Sequence, residues 1–465
     1  MRVAVVGAGL AGLAAGVELK ELGHHVELFE RSRLLGGRAT SFEIDGIEVD
    51  NGQHVFLFCC KEFLKFAERV DFENELYIQK TFDALVLARD GKRGRLTASP
   101  LPPPLHLMPS FMSYAHLGFN GKLLIARAIL EATIKKAGDP SAAVQSFQQW
   151  LQVIGQTPET YRAFWDPFFI PALNAPFDRV SVDDALFTLR TAFLSDATAA
   201  RFGYAKVPLA HLAANAAEKL DAVHLQEGVT ALDVTPTNVT LTLSKGDSQT
   251  FDAVVIATPP KTTAKLLGDA SKFGVQNLDA YTAYPILDVH LWHDGGSIGF
   301  DFAAALESPL QWIFEKAPGY LSCSFSAAGD SMSMPTADLE ALAWREVQAF
   351  IPALQNAKLI RSAVTRNPEA TWLPNLGIRR TSQPTKHPMV SIAGSWTDTG
   401  WPDTMESAVR SGRLAAHALG KDSRGAYQAE LEDAYRTMSV DRRQGNRGRA
   451  RPNDRRGRIG GSPSP

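Results

Sequence analysis

The chain has 465 residues, 45% of them apolar and 21% charged, an ordinary balance for a soluble globular protein and enough length for two domains or more. Its formal charge of −2 conceals an asymmetry: residues 441–465 hold eight arginines against Asp441 and Asp454, a local +6 that leaves −8 on the rest and excludes a nucleic-acid footprint on the body. Cys59, Cys60 and Cys323 are the whole cysteine complement, odd in number and too few for a disulfide framework, so a reducing compartment is expected.

Arg2–Val6 reads as a buried strand at the start of the chain, which leaves no place for a signal peptide. No run of ~18 apolar residues follows, so the expected location is cytoplasmic, with peripheral contact at the inner face of the cytoplasmic membrane left open. Val3–Val6 leads into a glycine-rich turn, a helix from about Leu10 to Leu22, a stop at Gly23 and a second strand at Val26–Phe29, a strand–helix–strand unit. Ser41–Val49 forms a hairpin around Asp45-Gly46, a pair suited to positive φ. Cys59 and Cys60 are neighbours, which rarely meet disulfide geometry, and read as two small buried side chains. From about 60 to 215 the pattern is helical and aromatic, and Pro100–Phe119 within it is neither a clean helix nor a clean strand. Strands return at 223–260, with Val239, Leu241 and Leu243 alternating and Ala253–Ala257 buried. Mixed strand and helix follow at 271–380, then a strand at Val390–Ala393 and a helix reaching about Leu419. The tail from 441 is expected to be disordered.

The turn Gly7-Ala-Gly9-Leu10-Ala11-Gly12 follows a strand and opens a helix. Gly7 permits the tight turn, Gly9 the approach of a pyrophosphate, and Gly12 close packing, while the helix N-terminus offers unpaired N–H groups to phosphate. Glu30 ends the second strand, placed to accept from a ribose, with Arg31 beside it. Leu35-Gly36-Gly37-Arg38 then adds two glycines and a planar donor fork directed at the same pyrophosphate, which argues for FAD over a nicotinamide cofactor. Near the other end, Ala393-Gly-Ser395-Trp396 through Gly412 reads as strand, loop and helix start, with Asp403 and Glu406 at capping-box spacing. A helix N-terminus there would stabilise the charge of reduced flavin.

GAGLAGL, LGGR and the terminal AGxWTxTGWPxTMExAVxSG resemble the superfamily of amine oxidases and carotenoid desaturases. Within it, Asp50-Asn-Gly-Gln-His54, Pro102–Pro109, Phe164–Asn174, Gln311-Trp312 and Asp398–Pro402 resemble the hydroxysqualene dehydroxylase family, over roughly residues 1–420. The resemblance implies an α/β fold: a Rossmann-like, two-dinucleotide-binding FAD domain from 1–60, 215–270 and 380–425, and a mixed α+β substrate domain from 61–214 and 271–379. It also implies adenine contact through the backbone of Val229, Thr258 near the ribose, and Gly52 with Met405 near the flavin ring. Ser395 stands where family members carry an acidic residue, so a hydroxyl replaces a carboxylate beside the flavin's ribityl or phosphate side. The arginine-rich tail is outside the family pattern.

The implied reaction removes the hydroxyl of hydroxysqualene to give squalene at the expense of reduced flavin. Hydroxide leaves poorly without a proton, so a general acid is required; His54, Asp166 and Asp398 are the candidates. Phe168, Phe169, Trp312, Trp396 and Trp401 are candidates for an aromatic, water-free pocket around a developing cation. With one dinucleotide fingerprint in the chain, NAD(P)H would visit the flavin transiently or a partner would deliver electrons. The C30 isoprenoid substrate lives in membrane, and Pro100–Phe119 suits either a lobe at the interface or a buried loop. A carotenoid-type desaturase, an amine oxidase with a lysine at flavin N5, and a non-catalytic flavoprotein are the other readings the sequence leaves open.

Overall fold

A computed structural model describes residues 1–135 and 140–420. β1 (Arg2–Val6), α1 (Leu10–Glu21) and β2 (His25–Glu30) form the opening unit; β3 (Ala222–Leu225), β4 (Ala253–Ile256), β5 (Val390–Ile392) and α2 (Met405–His417) complete the domain around it. The strands pair in parallel in the order β3-β2-β1-β4-β5. Both faces are covered, as a parallel sheet requires. Val3 and Val5 point to one core, which α1 and α2 share, while Ala4 and Val6 point to another, where the antiparallel strands Val229–Val234, Val239–Leu243 and Ser248–Phe251 pack. α1 buries every residue from Leu10 to Leu19 because α2 lies against it in backbone contact: a Cβ on Gly412 would stand 2.2 Å from the Ala11 carbonyl oxygen.

Helix Lys61–Arg69 contributes Phe63 and Phe66 to the first core, so the boundary expected at 60 falls inside a packed unit. The hairpin expected around Asp45-Gly46 pairs Ser41–Ile44 with Ile47–Asp50, with φ of 46° and 79° at its two turn residues.

The second sheet has seven strands, in the order Leu359–Pro374, Tyr281–His293, Tyr320–Ser326, Trp312–Ala317, Phe302–Ala305, Asp83–Leu87 and Arg93–Thr97. Leu287, Val289, Leu321 and Phe325 face helix Thr336–Phe350. On the opposite side Phe302, Trp312 and Phe314 meet an aromatic helical lobe holding Phe147, Trp165 and Phe169. The unassigned stretch Pro100–Phe119 becomes a short turn at Leu105–Leu107 and a helix at Met108–Ser113, and it leads to helix Phe119–Ile134. Among the described residues no helix is long and apolar enough to cross a membrane. The arginine-rich tail lies outside the described residues.

Candidate active site

The glycine-rich turn between β1 and α1 has the geometry its sequence predicts. Gly7 sits at φ +107°, and a Cβ there would stand 2.5 Å from the Ala257 carbonyl oxygen; one on Gly12 would stand 1.9 Å from the Gly7 carbonyl oxygen. A Cβ on Gly9, by contrast, meets no atom within 4 Å, because the turn opens there into a cavity. No side chain caps α1, so its first amides lack intrahelical partners and point at the place where a pyrophosphate fits. Glu30 accepts from the Ala8 and Ser32 amides, both at 2.8 Å, one on each oxygen, and each oxygen keeps a further acceptor site for a ribose hydroxyl.

The cavity measures about 790 Å³ and runs from this turn to the aromatic lobe, within the size range of cofactor and ligand sites. Every residue expected at the cofactor lines it except Gly12, which is spent inside the turn. Val229, Thr258 and Arg31 stand near the glycine turn's end. Trp396 closes the wall by donating its indole N–H to the Thr258 carbonyl at 3.1 Å. Gly52, Met405 and the start of α2 lie further in. Cys59 and Cys60 are both free thiols.

Two expectations about the closing segment need correction. The cap of α2 is Thr404, whose hydroxyl accepts from the Ser407 amide at 3.3 Å, and not Asp403. The Arg38 fork, expected at the pyrophosphate, also spends its Nη atoms on protein acceptors. It grips Asp403 with both Nη atoms, at 2.9 and 3.0 Å, and donates to the Ala370 carbonyl and the Ser395 hydroxyl. Asp403 accepts from the Trp372 amide as well, at 2.5 Å. It therefore brings a carboxylate to the place where Ser395 lacks one. Glu406 turns away from its own helix end: its oxygens accept from the Glu62 and Phe63 amides at 3.2 and 2.8 Å and from Arg410 at 2.7 Å.

The far arm of the cavity is lined by Phe168, Phe169, Trp312 and Trp401, as the sequence suggested, together with Phe193 and Phe202. Of the three candidate acids only His54 reaches it. Asp166 heads helix Asp166–Leu173 outside the wall, with burial raising its carboxyl above the ordinary range. Asp398 lies in its own loop, where an oxygen receives the Gly400 amide at 3.4 Å, so it orders a turn. Burial pulls His54 below the ordinary imidazole range although Asp50 opposes it, so the ring is neutral at pH 7. The shielded Nε2 has no hydrogen-bond partner. A neutral imidazole is a weak acid, so the ring suits the orienting of a polar group better than the protonation of a leaving one.

Sequence reasoning missed Asp288, on strand Tyr281–His293. It is fully buried beneath Gly52 and Gln53, and it is hydrogen-bonded by the Ser324 hydroxyl and, at 3.2 Å, by the Gln53 amide. Lys316 and Asp50 stand nearby, with the Lys316 Nζ 4.0 Å from an Asp50 oxygen.

Comparison with known proteins bears on the family and the fold. The chain is 25% identical to hydroxysqualene dehydroxylase of Zymomonas mobilis over 89% of its length and 97% of that protein's. It is also 25% identical to a zeta-carotene desaturase of Capsicum annuum, over 90% and 80%. Among solved structures, putrescine oxidase bound to putrescine superimposes with a TM-score of 0.71 at 16% identity, covering 90% of this chain and 98% of that one. Cyclohexylamine oxidase of Brevibacterium oxydans does so with 0.68 at 17%, covering 93% and 99%. The family model for flavin-containing amine oxidoreductases matches residues 10–419, and the chain belongs to that family as an FAD-dependent oxidoreductase.

Proposed function

We propose that the protein reductively removes the hydroxyl of hydroxysqualene, or a closely similar C30 isoprenoid alcohol, to give squalene. The observation that carries this reading is a cavity continuous with the cofactor cradle whose aromatic wall also carries polar side chains, His54 and Ser324 among them. A polyene offers nothing for these groups to hold, whereas an alcohol both donates and accepts. His54 then orients the carbon–oxygen bond, and the surrounding phenylalanine and tryptophan faces exclude water and favour a developing allylic cation. Bound reduced FAD supplies the hydride that replaces the hydroxyl. Reducing equivalents reach the flavin from NAD(P)H visiting its face or from a partner protein.

Desaturation of a carotenoid-like polyene is the second reading, favoured by the similarity to the zeta-carotene desaturase. Amine oxidation is less well supported: among the described residues no lysine lines the cavity. A membrane-borne substrate also calls for a docking face, and Met108, Met112, Phe119, Leu123, Leu130 and Ile134 form an exposed apolar surface on neighbouring helices, with Phe119 and Ile134 68% and 69% exposed. We assign that surface to peripheral membrane contact.

Anaerobic incubation of the flavin-loaded protein with hydroxysqualene and a chemical reductant, followed by mass spectrometry of the extracted lipid, tests the reaction. Squalene formed with flavin reoxidation is the expected result. Persistent reduced flavin without squalene refutes it and makes oxidised protein with a polyene precursor the next trial.

A further inference from the structure

The proposed dehydroxylation requires a proton at the leaving oxygen, and His54, which burial pulls below the ordinary imidazole range, is a poor source of one. Strand Tyr320–Ser326 offers another route. Its Ser324 lies on the cavity wall and pairs across the sheet with Asp288 on one side and Trp312 on the other, so the three side chains share one face in a row. Leu321, Cys323 and Phe325 point to the opposite core. Asp288 does not line the cavity; its route there is the Ser324 hydroxyl. Its second oxygen has no hydrogen-bond partner, and a Cβ on Gly52 would stand 2.8 Å from it. A fully buried carboxylate with one bare oxygen is costly when ionised. The same group with a proton on the oxygen shared with Ser324 leaves only a carbonyl bare.

We propose that Asp288 and Ser324 are a proton-delivery pair, Ser324 passing its hydroxyl proton to the leaving oxygen of the substrate and recovering one from Asp288. This rests on the dehydroxylation reading. In the step the carbon–oxygen bond breaks with both electrons leaving on oxygen, which departs as water. The reduced flavin supplies the electron pair and hydrogen for the new carbon–hydrogen bond, and Asp288, left as a carboxylate, is reprotonated from solvent before the next turnover. Ser324 touches the substrate; Asp288 acts through it.

The groups around Asp288 fit a carboxyl that keeps its proton into the mildly acidic range. Burial pushes it up to about 6, opposed by the hydrogen bonds from Ser324 and the Gln53 amide. Asp50, from the hairpin above, pushes the same way as burial, and Lys316, on the strand beyond that of Ser324, against it. Tyr320 and Cys323 on the paired strand are themselves held neutral, burial raising both. His290, two residues along, is drawn down to about 4 by burial and is uncharged at neutral pH.

The test compares wild type, Ser324→Ala, Ser324→Thr and Asp288→Asn as flavin-loaded proteins, by single-turnover squalene formation across pH and by infrared spectroscopy of the carboxylic C=O band. The pair predicts a wild-type rate that falls as pH rises through about 6. It predicts a loss of roughly 100-fold or more in Ser324→Ala and Asp288→Asn, recovery in Ser324→Thr, and flavin content unchanged in all four. It also predicts a carboxylic band that titrates in the wild type, shifts in Ser324→Ala and is absent from Asp288→Asn. Wild-type turnover that survives both substitutions with its pH profile intact overturns the pair and leaves the dehydroxylase reading standing. If wild type forms no squalene, that reading fails, and the infrared titration decides the shared proton alone: a band unmoved by Ser324→Ala overturns it.

Discussion

Burial of Asp288 should make the stability of the folded protein depend on pH in a way that one substitution removes. The carboxyl titrates at 3.8 in the open chain and at about 6 in the folded protein. A rise of ~2 pH units corresponds to about 3 kcal/mol at 1.36 kcal/mol per unit. The sign follows from which state holds the proton. Below about pH 4 both states are protonated and the site costs nothing. Between about 4 and 6 the unfolded chain has released its proton and the folded protein has not, so stability falls as pH rises. Above about 6 the full loss persists. Asp288→Asn carries no titrating proton, and whatever its amide costs beside Gly52 is constant with pH. Urea unfolding of flavin-loaded wild type and variant at pH 4.5 and 7.5 isolates the effect as a difference of differences. The stability gap should move by about 2–3 kcal/mol in favour of Asp288→Asn over that range. Parallel curves, or a shift in favour of wild type, would show that Asp288 is ionised at low cost and would refute the argument from burial.

Three further outcomes follow from the geometry. Gly9→Val adds atoms where no protein atom lies within 4 Å, so the flavin-free fold should keep its stability, while overlap with the pyrophosphate weakens FAD by about 1–3 kcal/mol, roughly 5- to 150-fold in Kd; a fluorescence titration showing undiminished binding would remove the turn from the cofactor site. Glu406→Ala strips the acceptor from two amides and leaves Arg410 buried without its carboxylate, a loss of about 3–5 kcal/mol measurable by denaturant unfolding and contradicted by a loss under ~1 kcal/mol. The double substitution Leu123→Glu and Ile134→Glu should abolish flotation with liposomes while turnover in detergent stays unchanged; undiminished flotation would move the membrane contact elsewhere.

What the sequence made legible was local or repeated over a short span. β1, the glycine turn, α1 and β2 sit within thirty residues, and each has a backbone requirement that its residues announce, so the turn and the strand end that carry Gly7, Gly9 and Glu30 form where the pattern puts them. The aromatic residues of the cavity were legible for a different reason: large rings in a helical stretch have few destinations other than a core or a pocket. Asp403 was misread as a cap because its partner, Arg38, is 365 residues away, and a bidentate pair pulls the carboxylate off the helix end that spacing alone assigns to it. Asp398 lies in a family-like segment yet orders its own turn, and Asp166, in another, stands outside the cavity wall. Helix Phe119–Ile134 exposes Phe119, Leu123, Leu130 and Ile134 beside Arg127 and Glu131, a mixed pattern that does not say which of its apolar residues are covered. Asp288 was invisible because Leu287, Val289 and Leu291 alternate with Asp288, His290 and Trp292. That period-2 pattern puts the aspartate on a solvent face, and only the hairpin Ser41–Asp50 and the loop after it, folded over the sheet, bury it.

That covering loop explains why the segment from Asp50 to His54 carries so much of the site. Asp50 is anchored by the Ser41 hydroxyl and the Leu209 amide, both at 2.8 Å, which fixes the loop on the FAD domain. Gly52 lies against Asp288, Gln53 donates to it, and His54 turns to the cavity. Five consecutive residues thus join the sheet of one domain to that of the other and hold one side chain at the cavity. An apolar residue at 288 would fill the same space without leaving a bare carboxylate oxygen against Gly52, and replacing a buried charge in that way is commonly neutral or stabilising. Packing therefore gives no reason for an aspartate at this position. A carboxyl that costs stability at neutral pH and reaches the cavity through one hydroxyl has the placement of a functional group, and the loop above it ties its burial to the geometry of the cofactor domain.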